Sequence, residues 1–421
     1  MAENIPPMDS KKYLGLNRWQ IANNLRTELN KPDNSLSTFF TKRLWSWIYY
    51  YIKNRFGPNH DFLDYSSSID DKGIYNLKKD ITSKNDFISI AIAADWATDT
   101  TESDAIGDCI ANHNSDYTIH LGDTYFVGEP KEIYRNFLDP DCHWSKGNVG
   151  SFVTLGNHEM YARGISFFND LLPVMGLKKV NGLFTGQKAS FVCLQNDYWR
   201  ILLLDTGYHS DGIPILEMIP WFSPDCHFDD KLMNWLKDDV KLNDSNDKRG
   251  IMILTHHQYV TAFKGEDEYI KPASQLASLI GTDRPVLWIW GHEHKLSVFE
   301  KTQVKDGVTA YGRCIGNGGM PVELNRSGFI KDNKKNGSQN LIMVDKRQKA
   351  LIEDTPIGYN GYILLKIKDS KMEIEYYDCN GLLFTEKWNT DEKGIISGIR
   401  TAPDNSELTL EEGKSWNGII Q

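Results

Sequence analysis

Five short apolar runs, each followed within two residues by a side chain that can bind metals, constrain the fold of this chain more than any other feature. Runs this short, bounded by Gly, Asp and His, are typical of strands buried on both faces of a parallel sheet. Helical patterns lie between them, and this alternation predicts an α/β domain. The runs are Ile88–Ala94, Tyr117–Leu121, Phe152–Leu155, Ile251–Leu254 and Val286–Trp290.

The residues that follow these runs share a ligand chemistry. In open α/β sheets, ligands gather beyond the carboxyl ends of the strands, so five strand ends carrying such groups predict one site. Carboxylate, amide and imidazole groups without a thiolate suit hard or borderline divalent cations. A central carboxylate can bridge two cations ~3.5–4 Å apart, and a turn can direct the imidazoles of a His-x-His pair to different ions. The candidate ligands are Asp95, Asp123, Asn157, His256, His292 and His294.

Composition excludes several classes of partner. The 421 residues include 47 Lys and Arg against 57 Asp and Glu, a net charge of −10 without a long basic run, which argues against a nucleic-acid surface. No apolar stretch approaches the ~20 residues of a spanning helix, and the amino terminus lacks a secretory pattern. Six scattered cysteines without a CxxC pair indicate reduced, mostly buried thiols. We therefore expect a cytoplasmic protein.

The sequence predicts an extension (1–84), a catalytic domain (85–392) that includes the C-terminal strands, and a tail (393–421). In the extension, Leu44, Ile48, Tyr51, Ile52 and Arg55 share one helical face in an aromatic-rich segment. A helix packed on the catalytic domain is the favoured interpretation, and a protein or membrane-surface contact through residues 42–56 is the alternative. Further predicted elements are helices at Glu102–Ala111 and Asp230–Leu242 and added strands at Tyr362–Lys368, Lys371–Tyr377 and Leu382–Trp388.

The ordered motifs D…GD…GNHE…HH…GHxH resemble the calcineurin-like metallophosphoesterase superfamily. ADWA and GDTY are most similar to its purple-acid-phosphatase-like branch. The resemblance covers about Phe87–His294, and the GNGGMP segment Gly316–Pro321 also resembles the family. It implies a four-layer α/β/β/α sandwich, here with a helical amino-terminal extension, and two divalent metal ions, for which Mn, Fe, Zn and Mg all remain open.

The resemblance also implies roles for single residues. Asp123 would bridge both metals, Asn157, His256 and His292 would complete one site, and Asp95 and His294 would belong to the other. His158 would lie over the substrate phosphate as an acid or hydrogen-bond donor. His257 and Arg163 are candidate substrate contacts. Glu159 is expected to bond loop backbone rather than substrate, and Asp205 to cap a turn or support a ligating histidine.

Two positions depart from the family pattern. Most of the superfamily has a histidine where this chain has Ala97, and the purple branch has a tyrosine where it has Phe126. Tyr125 lies one position early and, on a strand-like segment, would point the other way. The Asp95/His294 metal would then lack one protein ligand, and water, Asp99, Thr98 or a displaced Tyr125 could replace it. The charge-transfer colour of an iron–tyrosinate bond is not expected.

The resemblance implies metal-dependent hydrolysis of phosphate esters by a metal-activated water at a dinuclear centre. We expect a phosphomonoesterase rather than a phosphodiesterase. The alternative is a degenerate member of the fold that serves as a binding or scaffold protein and contacts a partner through its amino-terminal extension. Ala97 and Phe126 motivate that alternative.

Overall fold

The computed structural model describes residues 57–139, 144–210, 225–352, 354–403, 406–416 and 419–420. The predicted helical face at residues 44–55 and the surface at 42–56 lie outside these ranges. The strands, in chain order, are β1 (Ile74–Asn76), β2 (Ile88–Ala93), β3 (Tyr117–His120), β4 (Gly150–Val153), β5 (Gly176–Leu177), β6 (Val192–Gln195), β7 (Trp199–Leu203), β8 (Gly250–Thr255), β9 (Val286–Trp290), β10 (Leu296–Gln303), β11 (Thr309–Ile315), β12 (Leu341–Val344), β13 (Ala350–Ile352), β14 (Thr355–Ile357), β15 (Gly361–Lys368), β16 (Lys371–Asp378), β17 (Gly381–Thr390), β18 (Ile396–Thr401) and β19 (Ile419–Ile420).

Helices are fewer than strands in the described ranges. The α-helices are α1 (Thr101–Asn112), α2 (Pro130–Ile133), α3 (Asn157–Met160), α4 (Asp230–Asp238) and α5 (Ile270–Ile280). Short π-helical turns span Tyr134–Leu138 and Phe167–Leu171, and 3₁₀ turns span Leu172–Val174 and Ser327–Phe329. None of the helices in this part of the chain is long and apolar enough to cross a bilayer.

The described strands form two large mixed sheets and one small hairpin, β13–β14. The eight-stranded sheet has the order β1-β6-β7-β8-β9-β11-β10-β12, and the nine-stranded sheet has the order β19-β18-β17-β16-β15-β2-β3-β4-β5. β2, β3 and β4 run parallel in one sheet, as do β7, β8 and β9 in the other. All five predicted site strands are therefore confirmed, within one or two residues at their ends.

Apolar side chains from both sheets meet in one large core. The rings of Tyr311 on β11 and Trp388 on β17 lie 5.0 Å apart across the two sheets. A second cluster packs Ile106 and Ile110 of α1 against Ala91 and Ala93 on the other face of the nine-stranded sheet. The predicted α/β sandwich is confirmed by this arrangement of packed sheets and flanking helices.

The two longest predicted helices exist, and one ends early. α1 begins at a capping box in which Thr100 and Ser103 bond each other's backbone N–H groups. The prediction that the second helix continues to Leu242 is wrong, because α4 ends at Asp238. Lys241 has a left-handed φ of 56°, and the Leu242 N–H donates back to the Leu236 carbonyl at 2.8 Å. This helix-ending turn keeps Leu242 buried without continuing the helix.

A buried ion triad joins the two sheets. Arg313 on β11 donates to both carboxylate oxygens of Glu386 on β17, at 2.8 and 2.9 Å. The Arg400 Nε on β18 donates to the same carboxylate at 2.8 Å. Burial alone would raise the pKa of Glu386, but the two guanidinium groups hold it at about 2. The triad therefore depends on an ionised glutamate in the interior.

Candidate metal centre

The candidate ligands meet where strands of both sheets end. Asp95, Asp123 and Asn157 follow β2, β3 and β4 of the nine-stranded sheet. The other three, His256, His292 and His294, follow β8 and β9 of the eight-stranded sheet. One ligand atom each of Asp95, Asp123 and His256 lies within 4.8 Å of the others, and the same holds for His256, His257 and His292. The structure thus brings together groups that are up to 199 positions apart in the sequence.

One group of donor atoms surrounds the Tyr125 hydroxyl. That oxygen lies 2.9 Å from Asp95 Oδ1, 2.9 Å from Asp123 Oδ2 and 2.9 Å from His294 Nε2. The His294 Nε2 is also 3.5 Å from Asp95 Oδ1. A hydroxyl has one proton, so it can donate to only one of these atoms at a time. Adjacent ligand atoms around an octahedral cation with bonds of ~2.0–2.1 Å lie about 2.9 Å apart, which matches this arrangement.

A second group of donor atoms forms around His256. Its Nε2 lies 3.2 Å from Asn157 Oδ1 and 3.3 Å from Asp123 Oδ1. Its Nδ1 donates to the Leu121 carbonyl at 2.8 Å. Because a carbonyl only accepts, this bond fixes the proton on Nδ1 and leaves the Nε2 lone pair for a cation, as in most metal-binding histidines.

Three candidate ligands have left-handed backbone conformations. Asp95, Asp123 and His292 have φ values of 55°, 70° and 60°. A non-glycine residue in this region carries a cost on the order of 1 kcal/mol, and such residues concentrate at functional sites. Backbone bonds hold them in place: the Asp95 N–H donates to the Gly122 carbonyl at 3.2 Å, and the His292 N–H donates to Asp95 Oδ2 at 2.8 Å.

Two motif glycines permit close approach between strand ends. A Cβ atom on Gly156 would lie 2.1 Å from Asp123 Oδ1, and one on Gly318 would lie 2.2 Å from the Ala94 carbonyl oxygen. The Gly318 N–H donates to that carbonyl at 3.1 Å. The GNGG segment therefore packs its backbone directly against the strand end that carries Asp95.

The electrostatics of the centre favour a bound cation. Asp95 and Asp123 are both fully buried. Burial alone would raise the pKa of Asp123, but the imidazoles of His256 and His158 hold it well below its usual range. The Asp123 carboxylate in turn outweighs burial at His256 and raises the pKa of that imidazole to about 9. Buried carboxylates therefore draw a proton onto a neighbouring imidazole, a positive charge that a divalent metal could supply instead. The donor set fits Mn²⁺, Fe²⁺, Zn²⁺ or Mg²⁺.

Glu159 supports the loops rather than the substrate side, as expected. Its carboxylate accepts hydrogen bonds from the N–H groups of Gly156 at 2.8 Å and Asp123 at 3.1 Å. Burial, and then the nearby Asp123 carboxylate, raise the pKa of Glu159 to about 7. Through these two bonds Glu159 connects the GNHE motif to the GD motif that contains Asp123.

His158 and His257 flank the donor atoms. The His158 Nδ1 donates to the Phe126 carbonyl at 2.6 Å, and its Nε2 lies 3.8 Å from Asp123 Oδ2. His158 retains some exposure, 13% of its side chain. His257 is buried, contacts the Thr206 hydroxyl through Nδ1 at 3.1 Å and has its ring 4.6 Å from that of His292. From this position His257 could serve as a metal ligand or as a hydrogen-bond donor to a substrate.

Three further residues, Arg163, Asp205 and His120, bond or pack against other parts of the protein. Arg163 donates to the Asn59 side chain at 2.8 Å, in the segment before β1, and its role as a substrate clamp stays a prediction. Asp205 accepts from the N–H groups of Gly207 and Tyr208 at 2.7 and 2.9 Å, which confirms the turn-capping alternative. His120 packs among Trp96, Phe137 and Trp144.

The expectation that Tyr125 points away from the centre is wrong. It assumed a strand, in which side chains alternate between faces, whereas residues 125–127 form a turn. The Tyr125 N–H donates to the Ala97 carbonyl at 2.9 Å, which brings the tyrosine to the position next to the residue that replaces the family's histidine. Of the other substitutes, Asp99 pairs with Arg135 at 2.7 Å and Thr98 contacts Thr100 at 2.8 Å.

Tyr161 was not singled out from the sequence. Its hydroxyl accepts a hydrogen bond from the Asn157 amide at 3.1 Å, which directs the amide oxygen of Asn157 toward His256. The spacing of four residues from Asn157 was the available signal, because such pairs share a helix face.

One comparison with known proteins, the scan against protein families, agrees with the motif pattern. The family model described as calcineurin-like phosphoesterase matches residues 88–296. No curated protein matches the sequence. Among solved structures, PhoD is similar at 11% identity and a TM-score of 0.46, covering 77% of this chain and 73% of its own.

Two further solved structures are similar over most of their lengths. GAP50, described as the anchor in the inner membrane complex of Plasmodium, shares 14% identity at a TM-score of 0.43, with 73% of this chain and 90% of its own covered. Vacuolar protein sorting 29 from Cryptosporidium parvum shares 12% identity at a TM-score of 0.27, with 76% of this chain and 100% of its own covered.

Proposed function

Residues 88–296 match the family model described as calcineurin-like phosphoesterase, and on that premise we propose that this chain is a dinuclear metal-dependent phosphoesterase that prefers monoesters. The observation that carries the proposal is a group of four donor atoms, the Tyr125 oxygen and the Asp95, Asp123 and His294 atoms that surround it. Each of the three surrounding atoms lies 2.9 Å from the Tyr125 oxygen, which is the spacing of neighbouring ligands on one small divalent cation.

We assign two groups of residues to two cations. Asp95, His294 and Tyr125 would hold one, and Asn157, His256 and His292 would hold the other. Asp123 would contact both, because Oδ2 faces Tyr125 and Oδ1 faces His256. Divalent cations bound there supply an activated water at neutral pH and neutralise negative charge on the phosphate.

The chain's own residues then orient the ester and move a proton. The Phe126 carbonyl fixes the His158 proton on Nδ1, so His158 can donate from Nε2 only when the imidazole is cationic. In that form it can protonate the oxygen of the leaving group or stabilise a phosphoryl oxygen. Tyr161 and Glu159 act as positioning residues, the first on Asn157 and the second on the backbone of Asp123.

Tyr125→Phe is expected to weaken metal binding. Loss of the hydroxyl removes one donor from the Asp95/His294 group and leaves two buried carboxylate oxygens without their shared partner. We expect affinity for Mn²⁺ to fall by about 10–100-fold, the range typical when a supporting contact of a metal site is lost. Isothermal titration of metal-depleted protein measures the change. Tyr134→Phe is the matched control, because that side chain is 53% exposed. Equal isotherms for the two variants would exclude Tyr125 from the site.

The function is tested with phosphate esters and elemental analysis on one protein preparation. Purified full-length chain, depleted of metal and reconstituted with Mn²⁺, Zn²⁺, Fe²⁺ or Mg²⁺, is assayed with an aryl phosphate monoester and the matching diaryl diester. We expect metal-dependent hydrolysis with the monoester faster. Asn157→Ala and His256→Ala are expected to lower the rate by at least about 100-fold and to reduce the metal content.

The same data distinguish the scaffold alternative. Absence of hydrolysis with every metal, together with unchanged metal content in both ligand variants, would reject the phosphoesterase proposal. A protein that binds at most one metal per chain and hydrolyses neither ester would favour the scaffold.

A further inference from the structure

Two thiols that are 270 residues apart in the sequence lie in contact. Cys109 is on α1 and Cys379 is in the turn between β16 and β17. Their Sγ atoms are 3.2 Å apart. Cys379 is exposed and Cys109 is half-buried, whereas Cys193, Cys226 and Cys314 are buried. Neither thiol takes part in the proposed hydrolysis.

Packing around the pair fixes both backbones. One helical turn after Cys109, the His113 Nε2 contacts the Tyr362 hydroxyl at 2.7 Å, and its ring lies 5.0 Å from that of Tyr377. On the other side, the Asn380 N–H donates to Asp378 Oδ1 at 2.7 Å and closes the turn that carries Cys379. These contacts hold the two sulfur atoms together before any bond forms, so their reaction is intramolecular and strongly favoured.

We propose that Cys109 and Cys379 are a site of reversible oxidation, at which a peroxide converts the two thiols into a disulfide. The sulfur of one of these cysteines attacks one oxygen of the peroxide and breaks the O–O bond, giving a sulfenic acid and, with hydrogen peroxide, water. The sulfur of the other cysteine then attacks that sulfenic acid, forms the S–S bond and releases a second water. Two thiols lose two electrons and two protons, and one peroxide is reduced to two waters. A dithiol reductant would reverse the bond by thiol–disulfide exchange.

The bond would connect α1 to the β16–β17 hairpin, two parts of the fold that are distant in the sequence. α1 follows the loop that carries Asp95, and the β16–β17 hairpin belongs to the nine-stranded sheet. A cross-link across so long a stretch of chain restricts the unfolded state strongly. We expect the oxidised protein to melt about 5 °C higher than the reduced protein.

The experiment uses the purified full-length chain, reduced and then treated with hydrogen peroxide. We expect an intact mass lower by two hydrogen atoms, and a digest in which one linked peptide pair contains Cys109 and Cys379. Cys109→Ser and Cys379→Ser should each abolish the linked pair and the rise in melting temperature. Cys193→Ala, which removes a buried thiol, should retain both, and dithiothreitol should restore the original mass.

Three results would overturn the proposal. One is addition of two or more oxygen atoms at Cys109 or Cys379 without a linked pair. Another is a disulfide that joins other cysteines or two chains. The third is a rise in melting temperature on oxidation that persists after Cys379→Ser.

Discussion

Asp123→Asn is expected to lower kcat/KM for an aryl phosphate by at least about 10³-fold, equivalent to about 4 kcal/mol of transition-state stabilisation. The carboxylate faces both groups of donor atoms: Oδ2 accepts from the Tyr125 hydroxyl at 2.9 Å, and Oδ1 lies 3.3 Å from His256 Nε2. Asparagine keeps the shape of the side chain but removes its negative charge and one anionic ligand. We therefore expect the metal content, measured by elemental analysis, to fall with the rate.

Asp283→Asn is the control for this prediction, because it makes the same chemical change at an exposed position. Circular dichroism should show the folded spectrum for both variants. If Asp123→Asn keeps two metals per chain and a rate within a few-fold of the parent protein, the bridging role of Asp123 is wrong.

Glu386→Gln is expected to destabilise the fold by about 3–5 kcal/mol, because it leaves the buried guanidinium of Arg313 and its neighbour Arg400 without an anionic partner. Side chains of Arg313 and Glu386 are both 0% exposed, so solvent cannot replace the lost carboxylate. The Tyr376 hydroxyl and the Trp388 indole, at 3.2 and 3.3 Å from Glu386 Oε2, also lose an anionic acceptor. Urea unfolding followed by circular dichroism measures the change in free energy.

Glu375→Gln makes the same change on β16, the neighbouring strand. Glu375 pairs with Lys366, whose side chain is 26% exposed, at 2.6 Å. Because solvent screens this pair, we expect a loss of no more than about 1 kcal/mol. Similar losses for the two variants would show that the triad contributes no more than a pair with one partly exposed member.

The Glu386 triad also predicts a dependence of stability on pH. The folded-state pKa of Glu386 is about 2, below its ordinary value of 4.5. A lowered pKa stabilises the fold above pH 4.5, and this contribution, about 3 kcal/mol, is lost as the pH falls from about 4.5 to about 2. The difference in unfolding free energy between the parent protein and Glu386→Gln should therefore shrink between pH 5 and pH 3. A constant difference over that range would contradict the low pKa.

Much of the candidate centre follows from local sequence patterns. Short apolar runs identify buried strands, and the carboxyl ends of parallel strands meet at one edge, so Asp95, Asp123 and Asn157 could be placed together without coordinates. His256 could be added for the same reason. The role of Glu159 could be predicted because a buried acid three residues after a motif glycine commonly bonds the backbone of its own loop.

Tyr125 shows where such reasoning fails. The direction of a side chain follows from periodicity only inside a regular element, and the chain leaves β3 at His120. The orientation of Tyr125 depends instead on a bond from its N–H to Ala97, a contact between two different strand ends. The Arg313–Glu386 pair and the Cys109–Cys379 contact could not be predicted from the sequence either, because each joins distant segments that no repeating pattern connects.

Recruitment of three candidate ligands from each sheet has a mechanical consequence. A lateral slip of one sheet over the other by a single ångström would preserve every hydrogen bond within the sheets, yet it would alter the spacing of Asp95 from His294 and of Asn157 from His256 simultaneously. The affinity of the centre for a cation would therefore depend on how the two sheets are aligned. The rings of Tyr311 and Trp388 pack against each other between the two sheets. We therefore expect substitutions at either position to change the metal occupancy, although neither residue is a candidate ligand.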